Sequence, residues 1–127
     1  MNEKDLDKVL WIVCNEIGIP HNIKGRTYIQ DAIKILERCP DRIDWVIKGI
    51  YVPIADWHED TVSRVERAIR HAVEVAWKRG NVTLINKIFG YTVSADKGRP
   101  TNSEFIYNVY DFVKTFGEDV LNGNYKF

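Results

Sequence analysis

Between residues 63 and 71 the chain reads SRVERAIRH. Arg64, Arg67 and Arg70 recur every three residues, with Ser63, Glu66 and His71 among them. On a helix, residues three and four apart are neighbours, so these side chains gather on one side. Forked donors, a carboxylate and a hydroxyl on one face can hydrogen-bond to base edges and to phosphates. Arg67 is the best base reader, because a guanidinium can donate two parallel bonds to guanine. Glu66 can accept from a cytosine amino group, or it can hold Arg67 or Arg70 in position. Ser63, in the first turn, can reach either kind of target and is grouped with the base-contacting residues. Arg64, Arg70 and His71 are better placed for phosphates. Val65, Ala68, Ile69, Ala72, Val73, Ala76 and roughly Trp77 fall on the other side, as the buried back of such a helix requires.

A reading helix needs a partner that holds it. Residues 54–80, IADWHEDTVSRVERAIRHAVEVAWKRG, have the outline of a helix-turn-helix. Ile54 and Ala55 lie on the first helix, and the small Ala55 permits close approach. Four polar residues, HEDT, turn the chain. Thr61 sits where the cap of the second helix belongs, and Val65 and Ile69 bury that helix against the first.

The remaining segments supply a scaffold. Apolar residues at spacings of three and four predict helices at 4–17, 28–38 and 42–48, then 50–57, 62–79, 82–89 and 102–115. Gly18 and Pro20 stop the first helix. A turn around Gly25 then leads to Thr27 as the cap of the second. Pro40 breaks the second helix and Asp41 caps the third, with Ile43, Val46 and Ile47 inward; Gly49 interrupts next. Residues 91–100 are the one extended or loop segment, with Tyr91 and Val93 able to touch the core. Thr101 and Glu104 have capping-box spacing, and Gly117 ends the last helix. No strand alternation exceeds four residues. The expected fold is all-α: one compact bundle of six or seven helices containing a helix-turn-helix, one domain over 1–127 with its core at about 9–116 and a tail at 117–127.

Composition narrows the function classes. The 127 residues hold 18 Lys+Arg and 18 Asp+Glu, for a net charge of zero. That average hides a gradient. Residues 61–100 carry Arg64, Arg67, Arg70, Lys78, Arg79, Lys87, Lys97 and Arg99 against Glu66, Glu74 and Asp96, a net of +5. A localised basic face is the usual electrostatic footprint of a nucleic-acid site. No apolar run approaches the roughly 20 residues of a membrane span, and the start lacks a secretory signal, so a cytoplasmic, nucleoid-associated protein with no membrane partner is expected. Cys14 and Cys39 form no CxxC pair and read as buried or half-buried thiols.

Catalysis finds little support. His21, His58 and His71 form no HExxH motif and no zinc-spaced set with cysteine. His58 reads as a solvated turn residue or a phosphate neighbour. Asp56 with Glu59 or Asp60 fits ordinary helix-end acids. No catalytic residue, cofactor, metal or small-molecule substrate is expected. Trp11, Trp45, Trp57 and Trp77 are read as core. Tyr107, Tyr110, Tyr125 and Phe127 are candidates for a self-association surface. The competing class is a helical interaction domain that no longer binds DNA and acts as adaptor or antagonist of a longer regulator.

SRVERAIRHAVEVAWKRGN at 63–81 resembles the core of the C-terminal DNA-binding effector domain of the master response regulator of sporulation initiation, the stage zero sporulation protein family of endospore-forming Firmicutes. NEIGIPHNIKG at 15–25, YIQDAI at 28–33, FGYTVS at 89–94 and RPTNSEFI at 99–106 are similar to the same domain, collinearly over about 9–116. The resemblance implies a helical bundle that reads a short, partly A/T-rich promoter box in double-stranded DNA, with two domains able to sit in tandem or as a dimer on adjacent sites. It places Glu66 and Arg67 on base-contacting positions and Arg64, Arg70 and His71 near the backbone. It also implies phosphate contacts from the loop after FGYTVS, here Lys97 and Arg99. Members of that family normally carry a receiver domain with a phosphoacceptor. This chain shows no βαβ series and has no room for one. Met1 and the acidic lead NEKDLDK favour a freestanding effector domain over a piece of a longer protein. The segment 38–62 diverges and the tail has no counterpart.

Overall fold

The computed structural model describes residues 1–90 and 98–127. Among them the elements are all helical. They are α1 (Glu3–Ile17), α2 (Lys24–Arg38), a 3₁₀ helix (Pro40–Trp45), a π-helical turn (Ile47–Tyr51), α3 (Val52–Trp57), α4 (Val62–Arg79), α5 (Val82–Phe89) and α6 (Asn102–Leu121). The expected all-α bundle is the observed fold. Its core is one cluster fed by every α-helix. Val9, Leu10, Val13 and Ile17 come from α1, Ile29, Ile33 and Leu36 from α2, Val65 and Ile69 from α4, and Phe105, Ile106 and Val109 from α6.

Two helix boundaries explain how the core closes. Gly18 caps α1 in the left-handed region, at φ +97°, and its N–H donates to the Cys14 and Asn15 carbonyls. A side chain there would be strained, so the predicted stop at Gly18 has a backbone cause. The second boundary corrects the sequence reading. Residues 24–27 are not a turn capped by Thr27; α2 already begins at Lys24, and Ile23 precedes it. Gly25 is there because α2 crosses α4 at contact distance. A Cβ on Gly25 would lie 2.1 Å from the Ala68 carbonyl oxygen and 2.8 Å from the Ala72 methyl. The small residues of α4 were read as its buried back, and at Ala68 and Ala72 this is where α2 seats.

Arg26, in the first turn of α2, is the one buried charged residue among those described, 4% exposed. Its guanidinium donates to Asn15 Oδ1 at 2.8 Å, the Ile19 carbonyl at 2.7 Å and the Trp11 carbonyl at 3.1 Å. Those bonds replace water for a cation the core would otherwise reject, and they tie the start of α2 to the end of α1. Cys14 is buried and Cys39 half-buried, as read. Burial pushes the Cys14 thiol up to about 11, opposed by the nearby Arg26 charge, so the thiol stays protonated and inert.

Other departures have packing causes. The region 40–57 is not two α-helices broken at Gly49 but 3₁₀, π and α turns in succession, and this winding leaves Ile47 62% exposed. Trp11, Trp45 and Trp57 are exposed rather than core, and only Trp77 packs inward, edge-on to Phe89 at 5.4 Å. The helix predicted to end at Gly117 continues to Leu121. The tail then folds back: Tyr125 sits 5.2 Å from Phe112 and 5.4 Å from Phe116, and Phe127 joins it at 4.9 Å. Tyr110 is buried as well. Of the four aromatics offered for self-association, three therefore serve the fold. Tyr91, Val93 and Lys97 lie outside the described residues.

The Gly25 contact makes a specific expectation. Gly25→Ala should lower unfolding stability by about 1–3 kcal/mol, as an overpacked core does. By propensity alone the substitution would add about 1 kcal/mol of helix stability. A urea midpoint unchanged or raised in the variant would contradict the close α2–α4 approach.

Candidate nucleic-acid interface

α3, the turn 58–61 and α4 follow one another over the stretch where a helix-turn-helix is expected, an order consistent with that motif. Ile54, Val65 and Ile69 are fully buried and Ala55 nearly so, which seats α4 against α3. The turn closes through backbone bonds. His58 N–H donates to the Ile54 carbonyl at 3.1 Å, and Asp60 N–H donates to the Ala55 carbonyl at 2.9 Å. Thr61 is extended and its hydroxyl accepts from the Arg64 N–H at 3.2 Å, so the predicted N-cap of α4 is in place.

Asp60 and Tyr28 anchor this turn to α2. The Tyr28 hydroxyl donates to Asp60 Oδ2 at 2.6 Å, and the Thr61 N–H donates to Asp60 Oδ1 at 2.9 Å. These two donors hold the Asp60 carboxyl below the usual carboxylate range. Burial and the adjacent carboxylate push the Tyr28 phenol up to about 12. His58 is not free in the turn, since its Nε2 lies 2.6 Å from Asp31 Oδ2 on α2. The sequence marks Asp60 only as a helix-end acid and gives no sign of its bond to Tyr28, because that bond spans 32 positions and no local spacing announces it.

The outward side of α4 carries the expected residues. Ser63, Arg64, Arg67, Arg70 and His71 are exposed, and Glu66 is half-buried. Arg70 Nη1 donates to Glu66 Oε1 at 3.0 Å, so of the roles open to Glu66 the free molecule displays the one that holds Arg70. Arg64 lies 3.9 Å from Asp60, a loose contact. Arg67 makes no ion pair among the described residues, which leaves its full fork of donors to an outside acceptor.

Two clefts flank this face. The larger, about 600 Å³, gathers Glu66 and Arg70 with Arg99, Thr101, Asn102 and Ser103 at the start of α6. Arg99 reaches α4 through Glu74, at 3.2 Å. Asn102 Nδ2 donates to the Glu66 carbonyl at 3.0 Å and to the Tyr51 hydroxyl at 3.3 Å, pinning α6 beside α4. The smaller, about 300 Å³, gathers Arg64, Arg67 and His71 with Lys24 and Asp60. The arginine stripe thus divides, with Arg70 joining Arg99 on one flank and Arg64 joining His71 on the other. Lys24 and Asn102 had not been singled out for the site. NEIGIPHNIKG and RPTNSEFI contain them, but only the tertiary fold brings them to α4.

The Tyr28–Asp60 bond has a pH signature. The raised Tyr28 phenol contributes stability that is whole below pH 10, its ordinary value, and is lost as pH climbs toward about 12. The depressed Asp60 carboxyl contributes stability present above its ordinary 3.8 and lost as pH falls through its lower folded value. Tyr28→Phe should therefore flatten both limbs of a stability-versus-pH curve measured by urea unfolding. A variant curve parallel to the parent at both ends would contradict the bond.

The description "sporulation initiation factor Spo0A C terminal" belongs to a family model that matches residues 11–113. That span contains the buried Arg26 anchor, the α2–α4 crossing, both clefts and all but the last turns of α6. The chain belongs to the Spo0A C-terminal family of sporulation response-regulator domains.

Proposed function

We propose that this domain is a sequence-specific reader of double-stranded DNA that regulates transcription, with the side of α4 opposite the core lodged in the major groove. Family membership and the all-helical fold support a DNA-binding transcription regulator in general. One observation supports the sharper reading. Ser63, Arg64, Arg67, Arg70 and His71 lie exposed along one helix whose other side, Val65, Ile69, Ala72, Val73 and Ala76, is buried. Docking DNA on that side would displace water and surface ion pairs while leaving the packed back of the helix undisturbed.

The roles follow from chemistry. Arg67, with its donors uncommitted, suits the N7 and O6 of guanine. Glu66 pairs with Arg70 in the free molecule and can take a cytosine amino group. Ser63 stands in the first turn of α4, within reach of a base edge. Arg64 and His71 on one flank, and Arg70 and Arg99 on the other, face the two sugar-phosphate strands that border a major groove. In this reading Lys97 is a further phosphate contact, as the family resemblance implies, the domain works at the nucleoid in the cytoplasm, and two copies can occupy adjacent boxes. No catalytic step is assigned.

The exposed Ile47, Trp45 and Trp57 favour the second reading, a helical interaction domain. Selection of bound sequences from a random duplex library, followed by a salt series on the recovered duplex, separates the two. A DNA reader enriches one short box, and its log affinity falls linearly with log salt at about 0.9 per phosphate contacted. Arg67→Ala should cost about 1–3 kcal/mol on the recovered box and little on a scrambled duplex. Arg70→Ala should weaken both duplexes alike and reduce the slope. No enrichment at low salt, or equal losses on both duplexes for Arg67→Ala, would overturn this assignment.

A further inference from the structure

We propose that Lys24, on α2, is a further DNA-backbone contact, so that the domain grips one phosphate strand with two separate helices. The inference rests on the DNA-reading function proposed above and assigns it a residue from outside the helix-turn-helix.

Lys24 is the first residue of α2 and is exposed. It lines the smaller cleft opposite Arg64, Arg67 and His71. Its backbone position is fixed by its neighbour: Gly25 is wedged against the Ala68 carbonyl, at the middle of α4. Lys24 therefore stays beside the reading helix. Among the described residues it makes no close ion pair, although its charge acts on the Asp60 carboxylate across the cleft.

The cleft contains one opposing charge, Asp60, and the geometry decides its effect. One Asp60 oxygen already accepts the Tyr28 hydroxyl, and the other accepts the Thr61 N–H. Its side chain is only 6% exposed. Against that sheltered carboxylate stand three permanent cations, Lys24, Arg64 and Arg67, so the mouth of the cleft is net positive even with His71 neutral. A compact ammonium at the rim suits a phosphate oxygen, for which an unforked point charge is sufficient. It also does something that Arg64 cannot. Arg64 and Arg67 turn with α4, whereas Lys24 belongs to α2. A phosphate held between the two helices ties the DNA strand to α2 as well as to α4, and so to the scaffold that already sets the direction of Arg67.

The test uses the full chain with Lys24→Gln, Lys24→Arg and Arg67→Ala on the selected duplex and its scramble. Lys24→Gln should lose affinity on both duplexes and lower the salt slope by about 0.9. Lys24→Arg should restore the slope. Replacing the phosphates one at a time by neutral methylphosphonates should reveal a position that weakens the parent and leaves Lys24→Gln unchanged. A parental slope and parental phosphate sensitivity in Lys24→Gln, while Arg67→Ala still loses the box, would overturn the Lys24 contact alone. Failure of the parent to prefer any duplex at low salt would overturn the DNA reading and this contact with it. Exposed Lys24 bears no packing role, so its variants should share the parent's urea midpoint.

Discussion

The crossing of α2 over α4 at Gly25 is the constraint on which the rest of the molecule depends. A backbone carbonyl of α4, at Ala68, occupies the space a side chain on residue 25 would take. The two helices touch there with no side chain of residue 25 between them. That contact fixes one side of α4 as inner, and Val65, Ile69 and Ala72 follow it into the core. The opposite side, with its three arginines, has nowhere to go but outward. Arg26, adjacent to the wedge, extends the constraint to α1 by bonding to Asn15, Ile19 and Trp11. Tyr28, two residues further on, extends it to the turn before α4 through Asp60. Three residues of α2 within four positions, Gly25, Arg26 and Tyr28, thus set both the depth and the start of α4.

The polarity of α4 follows from this arrangement more than from its own composition. Arginine at three-residue spacing is common on surface helices, since it favours both helix and water. The unusual feature is the pair of flanking clefts contributed by other elements, Lys24 from α2 on one side and Arg99 with the capped start of α6 on the other. Glu66 links the two ideas, because its carboxylate holds Arg70 while its backbone carbonyl receives Asn102. A change at residue 102, far away in sequence, would therefore be felt at the exposed side of α4.

What was legible from sequence was local. Thr61, Thr101 and Gly18 act on neighbours within four residues, and their roles as caps and stop hold, with Thr101 and Glu104 forming a full capping box. The apolar stripe of α4 was legible because a period of 3.6 survives any packing arrangement. What depended on distant partners was misread. Gly25 resembles a turn glycine until Ala68 is beside it. Trp45, Trp57 and Ile47 look like core until the 3₁₀ and π turns rotate them outward. Tyr125 and Phe127 look like a loose end until Phe112 and Phe116 receive them. The exposed residues of α4 follow from its own spacing, whereas Lys24, Asn102 and the Tyr28–Asp60 anchor reach that helix only through the fold.

With the back of α4 held fast, Arg67 is proposed to meet a guanine edge in the major groove. Protection of guanine N7 from methylation, mapped on the bound duplex with the parent protein and with Arg67→Ala, probes that groove directly. The account predicts at least one guanine shielded by the parent and exposed again in the variant, with shielding elsewhere retained. Bound DNA whose guanines all remain open to methylation, or a pattern indifferent to Arg67, would contradict it.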